Sequence, residues 1–156
     1  MNTINYQKGF GMNELIVVVG ILVILLAIAM PQFSKIRERQ VLKASVADVI
    51  SSIDKARSQT LASLNSSSYG VHFQSDKVII FKGTVYASND ANNVSVNIVS
   101  PATISNVTLA GVSGSTGDVY FSRVYGVPNK TGTIIVGTSS YSQTITLSAL
   151  GNSSSN

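Results

Sequence analysis

The sequence predicts an α+β fold: a long N-terminal helix, transmembrane in its first part and amphipathic in its second, packed on a C-terminal antiparallel β-sheet domain. Three observations carry this expectation. Leu15 to Met30 is a run of sixteen residues without a polar side chain. The stretch that follows, up to Leu64, places apolar side chains at steps of three and four. From Asn65 onward the composition changes to short β-branched runs cut by Gly, Asn, Ser and Asp.

Each element can be justified in turn. Phe10 to Met30 are 21 residues whose only charge is Glu14, and as a helix they would span roughly 32 Å, about the hydrocarbon thickness of a bilayer. Residues 10–30 are therefore read as a transmembrane segment. In residues 31–64, Leu42, Val46, Val49, Ile50, Ile53 and Leu61 form one stripe of an amphipathic helix, expected to cover the β-sheet. Only Pro31 stands between the two segments. A proline inside a helix removes one hydrogen bond and bends the axis without ending it, so a continuous helix kinked at Pro31 is expected.

Asn65-Ser66-Ser67-Ser68 reads as a turn opening a β-rich domain over residues 65–150. Candidate strands are Gly70–Phe73, Val78–Lys82, Val94–Ile98, Thr103–Leu109, Asp118–Phe121, Gly132–Gly137 and Gln143–Leu147. Alternation in Val94–Ile98 and Thr144–Leu147 suits antiparallel strands with one wet face. Residues 151–156 are expected to be a frayed, flexible tail.

Composition excludes much chemistry. There is no Cys, hence no disulfide, thiolate metal site or Cys nucleophile, and one histidine, His72, cannot build a multi-histidine metal site. No catalytic group pair or phosphate-binding loop is recognisable, so neither an enzyme nor a cofactor is expected, and no metal. His72 reads as a half-exposed strand residue and Asp118 as a turn aspartate without calcium-loop spacing. The net charge of +4 is local: Lys35, Arg37, Arg39 and Lys43 lie within nine residues, opposed only by Glu38, while residues 60 to 156 hold four basic and three acidic groups. A nucleic-acid partner is not expected from that distribution. The cluster reads as a solvated helix face near anionic lipid headgroups, or in an assembly as a partner for acidic neighbours.

The N-terminal residues carry the sharpest signal. Lys8-Gly9-Phe10-Gly11-Met12-Asn13-Glu14, followed by Leu15-Ile16-Val17-Val18-Val19-Gly20, resembles the type III signal of the type IV pilin and pseudopilin superfamily. The resemblance implies that residues 1–9 are a prepilin leader, that a prepilin peptidase cuts between Gly9 and Phe10, and that Phe10 is N-methylated. It further implies that Glu14 is the assembly glutamate and that Pro31 is the helix-kinking proline. The resemblance differs from the usual family pattern at Gly11, Met12 and Asn13. More loosely, Tyr69–Phe73, Val78–Gly83, Val119–Phe121, Gly126–Pro128 and Gly132–Val136 resemble the β-domain of H-type minor pseudopilins of type II secretion and their minor-pilin relatives.

A physical reason for Glu14 exists beside the resemblance. A carboxylate in an apolar membrane segment is costly and takes a partner. A free α-amino group on Phe10, with a pKa of about 8, would be cationic at neutral pH. The resemblance implies that this amine belongs to a neighbouring subunit.

The expected function is that of a structural subunit of a type IV pilus-like filament or type II secretion pseudopilus, as a minor pilin or pseudopilin. Expected partners are the prepilin peptidase, other pilin or pseudopilin subunits, an inner-membrane assembly platform and, before assembly, the lipid bilayer. The expected location is the inner membrane, single-pass, with the β-domain extracytoplasmic, and then a periplasmic or extracellular filament. A positive-inside count, with four basic residues after the apolar run against Lys8 before it, points to the opposite orientation. Two alternatives remain open at this point: a major or competence pilin, and a secreted or anchored β-domain that binds a ligand or carbohydrate, released by an ordinary signal-peptide cut after Ala27-Ile28-Ala29.

Overall fold

The computed structural model describes Gly9 and residues 11–156, with the backbone alone at Pro31. Helix α1, Met12–Leu61, is followed by a 3₁₀ turn at Leu64–Ser66 and nine strands. The fold is α+β, as expected. Contacts divide the chain into two units, and the boundary lies inside α1, after Ile36. That is six residues beyond the composition boundary at Met30, and the first buried side chain of α1 among the described residues, Leu42, follows it.

In the N-terminal unit, α1 runs through Pro31 without a break in its assignment. Pro31 lacks an N–H, so the Ala27 carbonyl loses its helical donor there. Every residue from Leu15 to Ile28 is exposed.

In the second unit, Arg37–Asn156, two antiparallel sheets share one core with the rest of α1. The first sheet has the order β3-β2-β1-β6, with β1 Tyr69–Phe73, β2 Lys77–Lys82, β3 Val94–Asn97 and β6 Gly117–Tyr120. The second has the order β5-β4-β7-β8-β9, with β4 Thr103–Leu109, β5 Val112–Gly114, β7 Gly132–Gly137, β8 Ser142–Leu147 and β9 Ser153–Ser155. Leu42, Val46, Val49, Ile53 and Ala56 of α1 are buried against Val71, Phe73, Ile80, Ile104, Val107, Val119, Ile134, Val136, Ile145 and Leu147. Their spacing of four, three, four and three keeps them on one helical stripe.

Two polar residues join that stripe at little cost. Ser52 Oγ donates to the Asp48 carbonyl (2.7 Å) and Thr60 Oγ1 to the Ala56 carbonyl (2.9 Å), each satisfied within the helix one turn back. Thr60 Oγ1 also accepts from the Tyr69 N–H at 2.8 Å, which ties the end of α1 to the start of β1. Leu61, expected on the buried stripe, is instead 49% exposed. The reason is angular: Ala56 and Thr60 continue the face and Leu61 is turned away from it.

Seven strands lie where alternation and turn residues place them, with ends within one residue. β5 and β9 were not foreseen. β9 occupies the segment expected to be a flexible tail, and corrects it: Ser153, Ser154 and Ser155 pair with Leu147, Thr146 and Ile145. An edge strand is held by backbone hydrogen bonds, so three serines suffice. At Gly132, opposite Leu109, an added Cβ would stand 1.8 Å from the Thr108 carbonyl oxygen, so β4 and β7 approach as they do only over a glycine.

Candidate functional site

Of the residues singled out at the N-terminus, Glu14 lies in the first turn of α1 and Gly9 precedes the helix. Phe10 falls outside the described residues. Gly9 is exposed, with open space where a side chain would stand. The Glu14 and Leu15 N–H groups both donate to the Gly11 carbonyl, at 3.0 and 3.1 Å, which opens the helix. Glu14 is the acid of the first turn, where a carboxylate faces the partial positive charge of the helix N-terminus. It is exposed, and among the described residues no cation lies within 4 Å of it. The apolar run behind it makes α1 long and apolar enough to cross a membrane, with none of that stretch buried within the chain.

A second cluster gathers around the basic residues. Thr138 Oγ1 and Ser139 Oγ, in the β7–β8 turn, each lie 3.3 Å from a Glu38 carboxylate oxygen and donate to it. The hairpin is thereby pinned to the first turns of Arg37–Leu61. The single acid of the basic cluster is engaged by neutral hydroxyls, and among the described residues Lys35, Arg37, Arg39 and Lys43 have no acidic oxygen within 4 Å. The Arg39 guanidinium carbon stands 4.6 Å from the centroid of the Tyr141 ring. A groove of about 250 Å³ beside this pair is lined by Arg39, Leu42, Lys43, Tyr141, Ser142 and Gln143.

His72 corrects the expectation of a half-exposed residue, for it is only 9% exposed. On β1 it points away from the main core, with Ile79 on β2 and Asp118 on β6 as cross-strand neighbours. Its Nδ1 is paired with Asp118 Oδ1, and its Nε2 lies 3.1 Å from Gln74 Nε2. Tyr86 stacks on the ring, 3.9 Å between centroids and 6° from parallel, and meets Phe81 edge-on at 5.7 Å. The segment from Gly83 to Asn93 thus straps the outer face of the first sheet. Asp118 lies in β6, as the candidate strand Asp118–Phe121 had it, and is not the turn aspartate also expected. Within the strap, the Asn92 backbone N–H and side-chain amide both donate to Asp90 Oδ1 at 2.8 Å, and they hold that carboxyl below its ordinary 3.8.

Arg57 forms a third cluster. Its Nε donates to the Gly126 carbonyl (3.0 Å), one terminal nitrogen to Asn152 Oδ1 (2.9 Å) and the other to the Leu150 carbonyl (2.8 Å). One guanidinium therefore joins α1 to two loops. Tyr86, Tyr141 and the partners of Arg57 escaped the sequence reading because they lie far from their partners along the chain. Among the described residues no group of three or more His, Asp or Glu is placed to hold a metal. No family model, curated protein or solved structure matches the chain.

Proposed function

We propose that this chain is a structural subunit of a type IV pilus-like filament or type II secretion pseudopilus, assembled through its N-terminal helix as a minor pilin or pseudopilin. In this reading a prepilin peptidase cuts between Gly9 and Phe10, Phe10 is N-methylated, and residues 10–30 hold the chain in the inner membrane until an assembly platform extracts it. The observation that carries the reading is a helix with apolar residues exposed on all sides from Leu15 to Ile28, led by one carboxylate, Glu14. Such a helix is stable in lipid or among other helices, not in water.

Lipid is as apolar as leucine, so moving the helix from bilayer to fibre yields no hydrophobic gain. The driving force must come from helix packing and from a charge pair, and Glu14 with the Phe10 amine of a neighbour supplies that pair. The Ser-, Thr- and Asn-rich, charge-poor β-domain suits an extracytoplasmic position. His72 and Asp118 serve the fold by holding the strap, so the role is structural and not catalytic.

The test is Glu14→Ala in cells that carry the assembly machinery. The variant should remain in the membrane and be processed, yet disappear from the sheared filament fraction. Assembly at the wild-type level would overturn the proposal and favour an anchored β-domain that works as a monomer.

A further inference from the structure

We propose that the groove between the Arg39–Lys43 turn of α1 and the β7–β8 hairpin binds the phosphate of an anionic phospholipid. The inference rests on the membrane-anchoring part of the proposed function and names a partner for the charge cluster. Arg39 makes a cation–π contact with Tyr141, 4.6 Å from guanidinium carbon to ring centroid, and its guanidinium keeps a planar edge of N–H donors. That edge matches two oxygens of a phosphate. Lys43 follows one turn later on the same side of the helix, and Ser142 and Gln143 bring a hydroxyl and an amide to the same rim.

Three features favour a lipid over other anions. Leu42, 4% exposed, gives the groove an apolar wall suited to the glycerol and acyl root behind a phosphate. Arg39 follows Met30 by only nine residues, and basic residues that close in sequence to a membrane-spanning segment favour anionic headgroups. Finally, Glu38, the acid best placed to neutralise the cluster, is turned to Thr138 and Ser139, and holds the hairpin so that Tyr141 stays under Arg39.

The test uses the full chain, labelled with fluorotyrosine, in nanodiscs of phosphatidylcholine with increasing phosphatidylglycerol. The Tyr141 signal is assigned with Tyr141→Phe, and the buried Tyr69 signal serves as the folding control. The Tyr141 signal should shift and saturate as phosphatidylglycerol rises. In Arg39→Gln/Lys43→Gln, with Tyr69 unchanged, the half-saturating fraction should rise roughly thirtyfold, or saturation should be lost. Inorganic phosphate added to pure phosphatidylcholine discs should leave the signal in place.

A shift reproduced by inorganic phosphate would overturn the lipid source, leaving a plain anion site. A shift that depends on protein density and not on lipid charge would assign the groove to a carboxylate of a second copy and also overturn the proposal. So would a response unchanged in the double variant. Failure of the chain to co-elute with the discs would overturn the anchoring reading itself, which keeps the two failures apart.

Discussion

The two stretches of α1 dispose of apolar surface in opposite ways. From Leu15 to Ile28 it is apolar on every side, and all of it is exposed. From Leu42 to Thr60 it carries one apolar stripe, and that stripe is buried by the chain's own sheets. The second stretch is complete within one molecule. The first is not covered by the described residues of the chain, and the proposed function assigns its cover to lipid or to other helices.

Substitutions that separate the two stretches give the largest effects. Ile53→Ala, at a fully buried position, should cost the β-domain about 2–5 kcal/mol in urea unfolding of the full chain in micelles. Leu22→Ala, at an exposed position, should change that stability by less than about 0.5 kcal/mol. If Leu22→Ala matched Ile53→Ala, the division of labour within α1 would be broken.

Smaller effects sharpen the comparison inside the second stretch. Arg57→Ala removes three charge-assisted bonds to the loops at Gly126 and Leu150–Asn152. It should cost about 1–3 kcal/mol, discounted because two of the bonds are exposed, and faster amide exchange should be confined to those loops. Tyr86→Ala removes the stack on His72 and should cost about 1 kcal/mol, with the His72 ring signals moving and the α1 core unchanged.

The smallest effect is electrostatic. Asp90 has its folded-state pKa lowered by Asn92, so its contribution is complete above the unfolded value and is lost as the pH falls through 3.8 toward the lowered value. Asp90→Asn should flatten the acid limb of the stability curve slightly, and only below about pH 5.

Most of the fold was legible because local pattern and tertiary outcome agree. β4 and β7 were placed to the residue, since β-branched runs bounded by Gly and Pro admit few other readings. β5 and β9 were not, because three residues such as Ser153–Ser155 show no periodicity and pair through backbone alone. Leu61 was misplaced because it continues the step pattern approximately but not the angle. The burial of His72 depends on Asp118 and Tyr86, which no local signal connects to it. At the candidate site, Glu14 was legible as a lone carboxylate at the head of an apolar run. The Arg39–Tyr141 groove was not, because only the fold brings a helix turn against a hairpin about a hundred residues later.

The central claim is that Phe10–Met30 is retained and serves assembly. Intact mass and N-terminal sequencing of the protein from its own membranes test it directly. A chain beginning with N-methylated Phe10 is the expected result. A chain beginning at Met30 would contradict it, because the exposed apolar helix would then have been discarded and Glu14 with it.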